Sequence, residues 1–265
     1  DKLLDTTNWQ VPTYDTHEFA ARLTDYCVCI PIINEGDRIQ SQLQHMHEIG
    51  TAQHADIIIC DGGSTDGSTD PDFLRSVGVR TLLVKTGPGT LSAQLRMGYA
   101  YALQHGYDGI VTIDGNNKDN PEAIPDFIRE LQAGYAYVQG SRFIPGGQAI
   151  NTPRSRYWAI RFIHAPMISL AAWRWYTDTT NGFRGYSREM LTDERVQPFR
   201  DIFDAYELLA YLSARPSQLG YETKEIPVVR RYPAHGKTPT KIKGLRGNWS
   251  IIQILLANLT GQYRP

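Results

Sequence analysis

A rhythm repeated along residues 26–140 constrains this chain most: a short apolar run, a polar turn, then a stretch with helical periodicity. Apolar runs at residues 26–33, 57–60, 80–84, 109–113 and 137–140 are short and continuous, as expected of strands covered on both faces. Helical patterns at 36–49, 91–105 and 121–133 fall between them. Such alternation predicts one α/β domain, a single Rossmann-like, mostly parallel sheet flanked by helices. In these sheets ligands bind beyond the carboxyl ends of the strands. Three polar clusters stand at such ends: Pro31, Asn34 and Glu35; Asp61 with Gly62, Gly63 and Ser64; and Asp114, Gly115 and Asn116. After Phe143 the rhythm changes to a Gly/Pro loop (Pro145, Gly146, Gly147), an aromatic helix over 157–176 and a mixed tail. The expected organisation is an extension over 1–25, a catalytic domain over 26–235 and a basic, amphipathic segment over 236–265.

Charge and cysteine usage narrow the classes. With 27 Lys+Arg against 28 Asp+Glu, no basic field favours nucleic acid, so any charge that matters is local. Cys27, Cys29 and Cys60 sit inside apolar runs, which suits buried thiols in a reducing compartment; no second ligand pair follows to make a zinc site. Residues 1–25 lack the basic start and apolar core of an export signal. The stretch over 157–176 is interrupted by Arg161, His164 and Pro166, and 249–259 falls short of the roughly 20 residues of a spanning helix.

Asp61 ends a strand, where a carboxylate can accept a hydrogen bond from a base or ribose while the following glycines let backbone approach a ligand. The same Asp-Gly-Ser-Thr mixture also makes a helix-capping turn. Asp114 and Asn116 follow the fourth strand, where an acidic group and a nearby oxygen suit a divalent cation held against a diphosphate; the alternative is again a turn.

Taken together, these motifs resemble family 2 glycosyltransferases of the GT-A type, and within them the polyprenyl-phosphate, dolichol-phosphate mannose synthase-like branch. The resemblance spans roughly residues 26–256. It rests on Pro31, Asn34 and Glu35; residues 61–67; Asp114-Gly115-Asn116 with Pro121 and Glu122; Gly140-Ser141-Arg142-Phe143 with Gly146 and Gly147; Asp178 and Asn181-Gly182-Phe183-Arg184; and Glu225-Ile226-Pro227 followed by Gly236 and Lys237. It implies an inverting transfer from a nucleoside-diphosphate sugar to a lipid phosphate. Pro31, Asn34, Glu35, Asp61, Gly63 and Lys118 would then hold the nucleotide, and Asp114 and Asn116 would face metal and diphosphate. Arg142, with Arg154 or Arg156 and with Arg184, would grip the acceptor phosphate. Two positions depart from the pattern: Asn116 replaces a second aspartate, and Lys118 stands where a glutamine ligand is usual. Both weaken a Mg²⁺ or Mn²⁺ site, since a negative charge is lost and an ammonium opposes the cation. A hydroxyl acceptor would need a base, for which Asp178 is the candidate; a phosphate acceptor needs none, leaving Asp178 to orient Arg184 or the acceptor loop.

Aromatic and basic residues interleave over 154–175 and Lys237, Lys241, Lys243 and Arg246 precede an apolar stretch from Trp249. Both patterns suit a protein peripheral on the cytoplasmic face of a membrane, although a buried core helix would also explain the first. Rival readings are a hydroxyl-acceptor transferase and a binding-only relic. A nicotinamide enzyme would need Gly-x-Gly-x-x-Gly after the first strand, which is absent.

Overall fold

The computed structural model describes residues 3–235 and 244–265. Gly236, Lys237, Lys241 and Lys243 therefore lie outside the described residues. In chain order the elements are β1 (Tyr14–Glu18), β2 (Tyr26–Ile32), α1 (Asp37–Glu48), β3 (Asp56–Asp61), α2 (Pro71–Ser76), β4 (Val79–Lys85), α3 (Leu91–Gln104) and β5 (Gly109–Thr112). There follow α4 (Ile124–Gln132), β6 (Tyr137–Ser141), β7 (Gln148–Ile150), α5 (Arg154–Ala159), α6 (Ala165–Ala172), β8 (Arg184–Ser187), α7 (Arg188–Leu191), α8 (Glu207–Gln218), β9 (Thr223–Pro227), β10 (Val229–Arg231) and α9 (Gly244–Leu259).

Eight strands form one mixed, mostly parallel sheet in the order β1-β4-β3-β2-β5-β8-β6-β9, and β7 and β10 form a small parallel ribbon. Pairs β2–β3, β2–β5, β3–β4 and β6–β9 are parallel, while β8 is let in antiparallel between β5 and β6. The pleat divides the core. Along β2, Cys27 and Cys29 face the layer built with α3, α6 and α8, whereas Val28, Ile30 and Ile32 face that of α1, α2 and α4. Fully burying one such aliphatic side chain contributes roughly 1.5–3 kcal/mol, so a one-residue slip of register would exchange the two layers at prohibitive cost.

Residues 14–18 and 244–259 are both packed into this body. The segment expected as an N-terminal extension supplies β1, which pairs antiparallel with β4 at the sheet edge. At the other end α9 packs on α6 and α8. The long aromatic helix expected over 157–176 is three pieces: α5, a π turn over Ile160–His164, and α6. Pro166 has no N–H to donate to the preceding turn and its ring crowds the carbonyl four residues back, so the helix widens just before it. Ile160, Ile163 and His164 of this widened turn line a large cavity described below.

Candidate active site

A cavity of about 1170 Å³ opens across the carboxyl ends of β2 and β5. Two buried glutamines hold this edge together. From α1, Gln42 donates to the Asp114 carbonyl at 2.8 Å and accepts the Asn117 N–H at 2.9 Å. From α3, Gln94 donates to the carbonyls of Ile32 and Cys60 at 2.8 and 3.0 Å. The Ile32 carbonyl also accepts the Gly62 N–H at 2.9 Å, and burying a strand-end group without any partner would cost about 1–3 kcal/mol.

Asp114 leaves β5 with its carboxylate on the cavity wall. Gly182 makes room for it, because a Cβ there would stand 2.6 Å from Asp114 Oδ1. Arg230, following β9 on the short β10, sends Nη1 to Asp119 Oδ2 at 2.7 Å and to Asp114 Oδ2 at 3.4 Å. Burial opposes the Arg230 charge, but Asp119 and Asp114 outweigh it and hold its pKa well above the ordinary arginine value. Burial, then Arg230, pushes the Lys118 ammonium down. Lys118 nonetheless lies 4.6 Å from the centre of the Tyr232 ring, on the same cavity wall.

Arg142 stands directly after β6 and also lines the cavity. Its Nε and Nη2 donate to Asp178 Oδ2 and Oδ1 at 2.8 and 3.1 Å, its backbone N–H donates to Oδ2 at 3.1 Å, and Nη2 reaches Thr180 Oγ1 at 3.2 Å. Nη1 has no hydrogen-bond partner among the described residues. A guanidinium fixed on one edge, with a donor left over beside a cavity, has the geometry to receive an anion. Nearby Arg156 donates to the Tyr232 hydroxyl at 3.0 Å. His164 shares a 2.6 Å hydrogen bond with Thr179 Oγ1; burial, then Arg184, brings its pKa down to about 4, so the ring is neutral at physiological pH.

Among the residues expected at a site, Pro31, Asn34, Glu35, Asp114, Asn116, Lys118, Arg142 and Arg156 line this one cavity. Four expectations need correction. Arg184 is turned inward: its guanidinium donates to the carbonyls of Asn181, Thr179 and Leu209, which leaves it no role as a phosphate ligand. Arg154 is exposed and lies outside the cavity lining, because α5 points Arg156 inward instead. Asp178 is fully buried and gripped by Arg142, so it orients Arg142 rather than Arg184 and is not placed to take a proton from an acceptor. Asp61 and Gly63 are not in the cavity lining: Asp61 is buried and Gly63 lies on an exposed turn. The Asp61 carboxylate caps the loop after β3 by accepting the Ser64 N–H and hydroxyl, and Ser64 Oγ in turn accepts the Asn34 N–H at 2.9 Å. Gly63 serves that turn with a positive φ of 103°.

Arg230, Tyr232, Tyr206, His164 and the α9 side chains Ile251, Ile252 and Leu255 also line the cavity, and the sequence does not single them out as site residues. A signal for Arg230 did exist: it comes shortly after Glu225-Ile226-Pro227, and the 229–231 alternation puts one of two adjacent arginines inward.

A divalent cation fits this edge as a partner of a diphosphate rather than as a protein-held ion. Among the described residues no three His, Cys, Asp or Glu side chains converge on one point. Asp114 offers an accessible carboxylate, whereas Asn116 Oδ1 accepts the Lys118 N–H at 3.3 Å. A hard cation taking six or more oxygens would need the remainder from substrate and water.

A wound, mostly parallel sheet with one antiparallel strand let into it, carrying carboxylate and cations around a cavity at its carboxyl edge, defines a GT-A-type glycosyltransferase. The chain belongs to glycosyl transferase family 2, whose family model matches residues 27–194. It is 28% identical over 211 residues to the undecaprenyl-phosphate mannosyltransferase of Micrococcus luteus, covering 75% of this chain and 80% of that protein. It is 26% identical to the polyprenol monophosphomannose synthase of Mycolicibacterium smegmatis, covering 76% and 75% of the two chains. Over 90% of its length it superposes on 78% of glucosyl-3-phosphoglycerate synthase from Mycobacterium tuberculosis, solved with Mn²⁺, UDP and phosphoglyceric acid; the TM-score is 0.63 and the identity 19%, a likeness of fold.

Proposed function

We propose that this enzyme transfers a sugar, with inversion, from a nucleoside-diphosphate sugar to a polyprenyl phosphate presented at a membrane surface. One observation carries the reading: a single cavity gathers Asp114, Lys118, Arg230, Arg156 and the partly unsatisfied Arg142 under an apolar wall from α5, the π turn and α9. The named acceptors of the two bacterial relatives support it.

The pieces divide the work. Asn34 and Glu35 lie where the nucleoside enters, and Asp61 braces their loop through Ser64. Lys118 and Arg230 stand ready to meet the charge that grows on the diphosphate as the anomeric C–O bond breaks. Arg142 and Arg156 orient the acceptor phosphate, whose oxygen forms the new bond to the anomeric carbon from the opposite face while the nucleoside diphosphate departs with the bonding electrons. The phosphate is already anionic, so no proton has to be removed, in keeping with the sequestered Asp178. A bound Mg²⁺ or Mn²⁺, held by Asp114 with the donor's oxygens, would add Lewis-acid stabilisation of the leaving group.

Large exposed side chains gather on the helices that line the cavity: Trp158, Phe162, Leu170 and Trp173 on the α5–α6 side and Trp249 and Leu256 on α9. Arg154, Arg161 and Arg174 lie among or beside the first group. Aromatic rings with interleaved arginines suit the interfacial zone of an anionic bilayer, here at its cytoplasmic face, and would bring the cavity to a lipid headgroup. No helix of the described residues is long and apolar enough to cross a membrane.

The test is product analysis by mass spectrometry after incubation with a panel of nucleotide sugars and either polyprenyl phosphate or the free polyprenol. Glycosyl-phospho-polyprenol with at least one donor, and no product on the alcohol, is expected. Product on the alcohol would support the hydroxyl-acceptor reading, and saturable donor binding without turnover would support a relic.

A further inference from the structure

Tyr232 is buried to 3% exposure at the meeting point of three cations. Lys118 Nζ lies 4.6 Å from its ring centre, and the Arg156 and Arg230 guanidinium carbons each lie 5.5 Å from it. Its hydroxyl accepts from Arg156 Nη1 at 3.0 Å. The ring does not depend on those cations for its place. Tyr232 donates its backbone N–H to the Ile150 carbonyl at 2.9 Å, and its carbonyl accepts from Asn151 Nδ2 at 3.2 Å. Three like charges brought together in a half-dry cavity repel one another and splay apart unless something electron-rich holds them. An aromatic face attracts a cation, the more so where water is excluded, and a phenol oxygen adds a charge-assisted hydrogen bond. The phenol registers this surrounding: burial pushes it up, but Arg230 and Arg156 prevail and bring its pKa down to about 8.

We propose that Tyr232 is a positioning residue that couples the two halves of the reaction, its ring gathering the donor-side cations Lys118 and Arg230 with the acceptor-side cation Arg156 and its hydroxyl fixing Arg156 through a hydrogen bond. The division into donor and acceptor sides rests on the function proposed above. The ring faces all three cations, whereas the hydroxyl holds the hydrogen bond from Arg156, so the two contributions separate by substitution. Phenylalanine keeps the plate over all three cations and loses the Arg156 hydrogen bond; leucine loses both.

Initial-rate kinetics with both substrates varied, alongside calorimetric titration of the nucleotide-sugar donor alone, test the idea on the full chain. In Tyr232→Phe the acceptor KM rises about tenfold, the usual consequence of losing a hydrogen bond to a charged group, while donor KM and donor affinity stay within about twofold. In Tyr232→Leu both KM values and the donor Kd rise about tenfold. In an Arg156→Gln background Tyr232→Phe adds little further, because the hydroxyl acts through Arg156. An unchanged acceptor KM in Tyr232→Phe, equal losses of donor and acceptor use in that variant, or full additivity with Arg156→Gln overturns the proposal. Should the wild type glycosylate no polyprenyl phosphate, the functional reading fails on its own. The donor titration still decides the ring's part, since intact donor affinity in a folded Tyr232→Leu would refute it.

Discussion

Gly182 bears no functional group, yet it decides where the Asp114 carboxylate lies, since any Cβ would stand 2.6 Å from Oδ1. Gly182→Ala is expected to lower kcat roughly hundredfold, the scale of an ångström-sized misplacement in an active site, with the thermal transition little altered. Rates and melting curves on the same preparation check this, and undiminished turnover would remove Asp114 from the chemistry. His164 gives a pH signature. Its folded pKa of about 4 lies below the free value of 6.5, so the unfolded chain takes up the proton first. Stability is whole above pH 6.5 and falls as pH drops toward 4, by at most about 3 kcal/mol and less where cavity water reaches the ring. In His164→Asn that part of the pH dependence should vanish from urea unfolding between pH 4 and 7; an unchanged slope would contradict the assignment. At this scale the sequence exposed what sits beside its own strand end, as with Asn34, Glu35, Asp114 and Arg142. It hid what arrives from elsewhere in the fold: Gln42, His164, Arg230 and Tyr232 gain their roles from neighbours distant in sequence. Arg184 misled for a related reason, as motif position alone does not show that three buried carbonyls claim its guanidinium.

Among elements, the buried parallel strands β2, β3, β4, β5 and β6 were legible because continuous apolar runs have no other stable use in a chain of this kind. Strands β1, β7, β8 and β10 were not. They are three to five residues long, several are polar, and they are held by register with neighbours rather than by a pattern of their own. The same holds for the π turn, whose cause, Pro166, was visible as an interruption but not as a widening that feeds the cavity. Helix α1 acts on the site through Gln42. Gln42→Leu should cost about 1–3 kcal/mol in unfolding free energy, by stranding the Asp114 carbonyl and Asn117 N–H, and should lower kcat as the 114–118 loop loosens. Wild-type stability and rate in that variant would show that the loop holds itself. The exposed rings of α5 and α6 make a separate claim. With Trp158 and Trp173 both replaced by Ser, flotation with anionic vesicles should fall severalfold, while turnover on a short, water-soluble prenyl phosphate stays at the wild-type level. Undiminished flotation would mean that this face does not meet the bilayer.

For the molecule as a whole, a net charge of −1 spreads no long-range field, so the cations that matter are those gathered locally at the sheet's carboxyl edge. The fold brings them there from β6, α5, β10 and the loop after β5, and sets two carboxylates, Asp114 and Asp178, to different tasks. One lies open beside Arg230; the other is sealed beneath Arg142. That arrangement makes a division of labour between donor and acceptor the central claim. Two-substrate kinetics of Arg142→Lys test it most directly, because lysine keeps a charge for Asp178 but lacks the fork and the spare donor. The acceptor KM for polyprenyl phosphate should rise at least about tenfold with the donor KM unchanged; a collapse of donor binding, or an unaltered acceptor KM, would contradict the account.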